Sequence, residues 1–154
     1  MKTLIMKIVI LLCCVTMSCA YAHPPERLVE GHGDKAARSL DRALKPLIAK
    51  AKSTFPQAKK RFLAGLPAGE KFYVLTRLSG DHGARTEDVY VVVREMAGGQ
   101  IHGVIDSDVL LVKTYRKGQL LVFPEAQLID WSILHRNGYE EGNVVGRYFD
   151  SLHK

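Results

Sequence analysis

Cysteine is scarce in this sequence and confined to one end of it. The 154 residues include three cysteines, Cys13, Cys14 and Cys19, and no cysteine follows Cys19. Removal of that end would leave a chain without thiols, which excludes disulfides, thiolate nucleophiles and Cys-ligated zinc or iron–sulfur clusters. An ordinary hydrophobic core must then hold the fold, and a domain of about 130 residues can bury roughly two-thirds of its unfolded surface.

Long apolar runs are missing as well. The unbroken run from Ile8 to Val15 is far shorter than the roughly 20 apolar residues that span a bilayer. Lys2 and Lys7 precede the run, and Ala20-Tyr21-Ala22 follows it. A basic start, a short apolar stretch and an A-x-A site are typical of a secretory signal peptide.

We therefore predict a signal peptide over residues 1–22, cut between Ala22 and His23, and a mature protein that is periplasmic or secreted. A lipoprotein anchored at Cys19 is the alternative, but Thr16-Met17-Ser18 before it matches a lipidation motif poorly. Residues 23–33, rich in proline and glycine, are expected to form a flexible lead-in. Residues 34–154 are expected to form a single α+β domain.

Positive charge is unevenly distributed along the predicted mature chain. Lys35 to Arg61 contains nine basic residues and a single acid, Asp41. The predicted basic helix face consists of Arg38, Arg42, Lys45, Lys52 and Lys60. Such a face can dock another envelope protein or an anionic membrane or wall surface, or it can simply be solvated. Export argues against nucleic acid as the partner.

The first part of the domain has the periodicity of an amphipathic helix. Asp34 is a candidate N-cap, and the apolar residues fall on one arc at helical spacing. The arc contains Leu40, Leu44, Leu47, Ile48, Ala51, Phe55, Ala58 and Phe62. Two prolines predict a broken helix, because Pro46 removes an interior hydrogen bond and Pro56 suits the first turn of a second helix capped by Thr54.

After Gly69 the pattern changes to the alternation of β-strands. The predicted strands are Phe72–Leu78, Glu87–Met96, Gln100–Ile105, Leu120–Phe123 and a final strand, Val144–Phe149. Ala97-Gly98-Gly99 suggests a tight hairpin, whereas Val109–Thr114 and Glu125–Leu134 are ambiguous. The predicted fold is α+β, with N-terminal amphipathic helices packed on an antiparallel sheet of about five to six strands.

The order of several short motifs resembles the YegJ-like bacterial family, a domain of unknown function. The motifs are Glu87-Asp88-Val89-Tyr90-Val91, Gly103-Val104-Ile105-Asp106, Tyr115-x-x-Gly118, Val122-Phe123-Pro124, Gln127-x-Ile129-Asp130-Trp131, Gly138, Gly142-Asn143 and Arg147. The resemblance covers about Leu47 to Phe149. Tyr90 is a departure, since the family more often has tryptophan there. The resemblance implies a fold unit and no reaction.

Seven residues from these motifs are candidate binding residues: Glu87, Tyr90, Asp106, Asp130, Trp131, Asn143 and Arg147. Asp130 beside Trp131 could line a ligand pocket. The simpler interpretation is that Asp130 accepts backbone N–H groups while Trp131 fills the core. Arg147 could pair with Asp130 or with Glu141.

No motif implies a cofactor or a metal. His23 would become the N-terminus, with His32, His82 and His102 as further ligands, but their spacing is not that of a metal site. Ser107 lacks a nucleophile-elbow motif. The sequence therefore favours an exported, non-enzymatic binding protein, of which a toxin-neutralising immunity-type protein is the most concrete version. The alternative is an envelope enzyme or ligand-binding protein acting on wall glycan or peptide.

Overall fold

The computed structural model describes residues 27–80 and 85–152, with side chains from Lys35 onward. The predicted signal peptide, Cys19, the cleavage site between Ala22 and His23, and the side chains of His32 and His82 lie outside the described residues. Within the described part of the chain, the helices are too short or too polar to cross a membrane.

A single helix, α1 (Arg27–Ala64), replaces the predicted broken pair. It begins before the predicted start at Asp34, so part of the predicted lead-in is helical. It also continues through Pro46 and Pro56, and the prediction of a break is wrong. Thr54 does not cap a second helix, because its hydroxyl donates to the carbonyls of Lys50 and Ala51, each at 3.1 Å. Burial of one apolar stripe on both sides of Pro56 outweighs the lost hydrogen bond.

Six antiparallel strands and a second helix follow among the described residues, and the predicted α+β class is confirmed. The strands are β1 (Lys71–Gly80), β2 (Arg85–Ala97), β3 (Gln100–Ile105), β4 (Leu120–Pro124), β5 (Leu128–Leu134) and β6 (Glu140–Gly142). Their order across the sheet is β4-β3-β2-β1-β5-β6. The last element is α2 (Val144–Leu152).

The β2–β3 hairpin is as predicted. Gly98 and Gly99 have φ angles of 57° and 74°, the left-handed conformation that a tight two-residue turn requires. The stretch 109–114, left open between strand and helical turn, contains bends and turns. The stretch from Glu125 divides into a short 3-10 turn, Glu125–Gln127, and strand β5.

The main core lies between the second half of α1 and one face of the sheet. From α1 it takes Ala51, Phe55 and Ala58, and from the strands it takes alternate residues such as Val74, Val89, Val91 and Ile133. Phe72 packs edge-on against Phe55 and Phe62 and is stacked with Trp131. This arrangement leaves the intervening residues of each strand on the opposite face.

The opposite face is partly covered by α2. Leu44 of α1, Leu75 of β1 and Val145 of α2 form a second buried cluster. The prediction of a final strand over Val144–Phe149 is therefore wrong. Val144, Val145, Tyr148 and Phe149 have helical spacing as well as high strand propensity, and the contacts with the sheet select the helix.

Candidate functional site

Asp130 and Trp131 are neighbours on β5, and their side chains point to opposite faces of the sheet. Pairing with β1 places Asp130 opposite Leu75 and Trp131 opposite Val74. Leu75 belongs to the cluster under α2, and Val74 belongs to the main core under α1. Asp130 therefore lies on the face covered by α2, and Trp131 lies in the main core under α1.

Asp130 is buried and caps α2 from the sheet. Its carboxylate accepts N–H groups from Val145 at 2.6 Å and from its own neighbour Trp131 at 2.8 Å, and it also accepts from Gly146. Burial raises the pKa of this carboxyl, while the N–H groups favour the charged form. The N–H groups at the start of a helix have no partner within the helix, so Asp130 acts as the cap.

Trp131 ties β5 to α1. Its indole Nε1–H donates to the carbonyl of Ala51 and to the hydroxyl of Thr54, each at 3.1 Å. The backbone of Gly142 lies against the ring, because a Cβ there would be 2.9 Å from a ring carbon. The geometry thus agrees with the simpler interpretation of Asp130 and Trp131, in which both hold the fold together.

An acidic cleft opens beside the N-terminus of α2. It has a volume of about 420 Å³, and its walls include Tyr73, Tyr90, Asp106, Glu140 and Asp150. The described lining residues include three carboxylates and no lysine, arginine or histidine. We call this space the acidic cleft, and three of the predicted binding residues line it: Tyr90, Asp106 and Asn143.

Hydrogen bonds hold the walls of the acidic cleft in place. The Tyr90 hydroxyl donates to Asn143 Oδ1 at 2.9 Å, and Asn143 Nδ2 donates to Glu140 at 2.7 Å. The Tyr73 hydroxyl donates to Asp106 at 3.2 Å. Burial and the nearby carboxylates raise the pKa of Tyr90 to about 12. Burial first, and then Asp106, also raise the pKa of Tyr73. Both phenols are therefore neutral hydrogen-bond donors near neutral pH.

One buried hydroxyl near the acidic cleft has no hydrogen-bond partner. Ser132 is 1% exposed, and its Oγ is the unpartnered buried side-chain atom of the described chain. It lies directly opposite Tyr73 on β1, whose side chain lines the cleft. Native structures leave few such groups unsatisfied, but this hydroxyl is buried and does not line the cleft, so it is not a ligand contact.

The same sheet face carries an apolar row next to the acidic cleft. Tyr73, Val92, Val104 and Leu120 follow one another across β1, β2, β3 and β4 as cross-strand partners. Leu120 is 75% exposed, and Val122 on the same edge strand is 56% exposed. We call this row the apolar row. Tyr73, Val92 and Val104 are half-buried, and a contiguous apolar row that is partly exposed on a folded domain is typical of an interaction surface.

Glu87, another predicted binding residue, is used structurally. Its carboxylate accepts N–H groups from Leu110, Leu111 and Val112 at 2.8, 2.8 and 3.1 Å. These hydrogen bonds, that from Leu110 first, lower the pKa of Glu87. The side chain secures the long β3–β4 connection and lies in neither of the clefts that contain the other candidates.

A second cleft, the basic groove, lies between α1 and the start of α2. It has a volume of about 400 Å³, and it is bordered by Lys50, Lys60, Arg61 and Arg147, with Glu141 as the acidic residue. Trp131 and Arg147, both predicted binding residues, line this groove and not the acidic cleft. Arg147 donates to the carbonyl of Glu140 at 3.3 Å, whereas Glu141 pairs with Arg61 at 2.6 Å.

The predicted basic helix face is exposed but is not uniform in its contacts. Its members Arg38, Arg42, Lys45, Lys52 and Lys60 all have exposed side chains. Lys52 donates to the carbonyl of Ala126 at 3.1 Å and so holds the β4–β5 connection against α1. Lys59, next to the predicted face, does the same through an ion pair with Glu125.

The seven predicted binding residues do not meet in one site. A further cleft of about 520 Å³, near the edge strand β4, is lined by none of them. Among the described side chains, no group of three histidines, cysteines or carboxylates is arranged to hold a metal ion.

Sequence reasoning missed several lining residues. Lys50, Thr54, Gln57 and Arg61 line the basic groove, and their spacing along α1 is a signal that a search for one helix face would have found. Tyr73 could have been placed by alternation, since Phe72 and Val74 point to the core. Glu140 and Asp150 carry no such signal, because only the tertiary structure brings them to the acidic cleft.

No protein-family model, curated protein or solved structure matches this chain. The resemblance to the YegJ-like family therefore stays a prediction.

Proposed function

We propose that this chain is an exported, non-enzymatic binding protein, and that it docks an envelope protein on the open sheet face. In this proposal a lysine or arginine of the partner enters the acidic cleft, and apolar side chains beside it contact the apolar row. A toxin-neutralising, immunity-type role is the most concrete version.

The observation that carries this proposal is that some carboxylates accept backbone N–H groups, whereas others line the acidic cleft. Asp130 and Glu87 are each engaged by three backbone N–H groups, which leaves them poorly placed for acid–base chemistry. The acidic cleft instead presents Asp106, Glu140 and Asp150 with no basic residue in its described lining. A cationic side chain is the complementary group, and tyrosine rings add cation–π attraction.

A further observation supports a protein partner. The exposed Leu120 and Val122 lie on edge strand β4, so an apolar contact area adjoins the charged cleft. Interfaces commonly combine an apolar centre with polar groups that fix orientation.

Site-specific photo-crosslinking tests the surface. A photo-reactive residue replaces Leu120 on the apolar row or, as the control, Lys45 on the exposed side of α1. We expect a specific envelope adduct from position 120 and none from position 45. The purified partner should then lose at least about tenfold in affinity for Asp106→Arg, because a buried like-charge contact costs several kcal/mol.

Equal crosslinking from both positions, or unchanged binding to Asp106→Arg, would contradict the proposal. The toxin-neutralising version is tested by coexpression with a neighbouring candidate toxin, and absence of both a complex and protection would reject it. The enzymatic alternative predicts soluble fragments from purified peptidoglycan, with loss of that activity in Asp106→Asn.

A further inference from the structure

The basic groove has an excess of positive charge that the fold itself does not use. Four cationic side chains, Lys50, Lys60, Arg61 and Arg147, border the same space of about 400 Å³. Glu141 is the acid in the lining, and it pairs with Arg61 at 2.6 Å and with His135 at 3.4 Å. The charge of Glu141 is therefore already compensated.

The remaining cations have no close carboxylate partner among the described residues, although the charge of Arg147 acts on the buried Asp130. No salt bridge to Lys50, Lys60 or Arg147 is found in the described part of the chain, and Arg147 donates to a carbonyl oxygen of β6. By contrast, the neighbouring Lys59 forms an ion pair with Glu125 that fastens α1 to the sheet. Lys59 of α1 therefore stabilises the fold, whereas Lys50 and Lys60 of the same helix border the groove.

The floor of the groove is shaped to admit a compact group. Gly142 has a φ of 82°, and its backbone rests on the Trp131 ring, where a side chain would collide with the ring at 2.9 Å. No side chain therefore projects into the groove at this position. The cations stand around an apolar floor with their side chains exposed, so they are accessible to an anion from solvent.

We propose that the basic groove binds the phosphate group of a phosphorylated envelope molecule. Several cations converging on one space favour a phosphate, whose oxygens accept hydrogen bonds from different directions, and arginine with lysine is the usual combination for this recognition. The site is separate from the acidic cleft and does not depend on the proposed protein partner. Lipid headgroups and wall phosphodiesters share this chemistry.

The Trp131 indole can report ligand binding in the groove by NMR. Trp131 is the single tryptophan of the sequence, and it lines the groove, so its indole N–H gives one resonance in a ¹⁵N-correlated NMR spectrum. The residue 23–154 protein is titrated with inorganic phosphate and with glycerol 3-phosphate at constant ionic strength. We expect saturable shifts of the Trp131 indole and of the Gly142 amide.

A charge-matched pair of variants separates a site from general attraction. Lys50→Gln/Lys60→Gln removes two charges from the groove, and Arg42→Gln/Lys45→Gln removes two charges from the same helix outside it. We expect about tenfold weaker phosphate binding in the first variant and less than about twofold in the second. Thermal unfolding of both variants verifies that the fold is intact.

Vesicles distinguish the two sources of phosphate. We expect cosedimentation with phosphatidylcholine vesicles containing about one quarter phosphatidylglycerol, reversed by free glycerol 3-phosphate, if the natural source is a lipid. Binding of free glycerol 3-phosphate without vesicle binding identifies a soluble or wall-linked phosphate. Equal weakening in both double variants, or shifts that do not saturate, would overturn the proposal.

Discussion

The acidic cleft and the basic groove lie on opposite sides of β5 and are built in different ways. The walls of the acidic cleft are joined by side-chain hydrogen bonds among Tyr90, Asn143 and Glu140. The basic groove rests on the main apolar core, through Trp131 and Ala58. Opposite charges can lie so close together because β5 separates the two spaces, although α2 borders both of them and α1 borders the basic groove.

The difference shows that the two helices depend on different forces. α1 is held by a long apolar stripe, and hydrogen bonds such as that from Trp131 are an addition. α2 has nine residues, which is too short to be stable alone, and it depends on the Asp130 cap and on the small cluster around Val145. The acidic cleft should therefore be the easier of the two regions to disrupt.

The largest expected effect comes from removal of the Asp130 cap. Asp130→Ala leaves buried N–H groups without an acceptor, and we expect a loss of about 2–4 kcal/mol in the free energy of unfolding. Trp131→Phe keeps an aromatic side chain but replaces the indole by a smaller phenyl ring and loses its two hydrogen bonds, and should cost about 1–2 kcal/mol. Urea unfolding measures the free energy of unfolding of each variant, and amide hydrogen exchange shows which helix is loosened.

Asp130→Asn is the matched control, because it retains one acceptor oxygen and should cost less than Asp130→Ala. In Asp130→Ala we expect faster exchange in α2 than in α1. Equal loosening of both helices would show that the two regions are not energetically distinct.

Gly146 provides a test in which the sign of the effect is decisive. In an exposed helix, replacement of glycine by alanine stabilises by about 1 kcal/mol. Here a Cβ would lie 2.1 Å from Asn143 Oδ1 and 2.5 Å from the Tyr90 hydroxyl. We therefore expect Gly146→Ala to destabilise by about 1–2 kcal/mol, since the hydrogen bond between those side chains must break or shift.

Ser151→Ala, on the exposed side of α2, is the control and should stay within about 0.5 kcal/mol of the wild type. Thermal unfolding measures both variants. A stabilised Gly146→Ala protein would mean that the acidic cleft is looser than its hydrogen bonds indicate.

The smallest expected effect concerns His135, which contacts Glu141 of the basic groove at 3.4 Å. A hydrogen bond from His135 to Glu70, at 2.8 Å, raises the pKa of the imidazole above its ordinary value, and Glu141 adds to the effect. The protonated form stabilises the fold fully below the ordinary histidine pKa. This contribution is lost as the pH rises through the raised pKa.

We therefore expect His135→Gln to flatten the decline in unfolding free energy between about pH 6 and pH 8. His102→Gln, which removes a histidine from β3 and leaves the Glu70 pair in place, is the control. An unchanged decline in His135→Gln would assign the pH dependence to other groups.

Much of the architecture could be predicted because it follows from local periodicity. The apolar stripe of α1, the alternation of β1 and β2, and the Gly98-Gly99 turn each leave a signal within a few residues. The failures occurred where a distant group decided the outcome. The pair Val144-Val145 favours a strand by propensity. These residues instead begin helix α2, because the Asp130 carboxylate on β5 accepts the N–H groups at the start of that helix.

The candidate site was less predictable for the same reason. Asp130 and Trp131 stood out as a pair, but adjacent positions on a strand point to opposite faces, so they could not form one pocket. Asp106, Asn143 and Tyr90 were found through their motifs, and the pairing of β1, β2 and β5 decided that they meet beside Glu140 and Asp150.

The sequence by itself determined the α+β class, the concentration of positive charge between Lys35 and Arg61, and the absence of cysteine after Cys19. These are properties of composition and of short-range periodicity, which any compact fold of the chain must respect. Only the tertiary structure decided which lysines form ion pairs within the fold and which do not. Lys50 and Lys59 look alike in the sequence, but Glu125 from the connection between β4 and β5 pairs with Lys59, and Lys50 borders the basic groove.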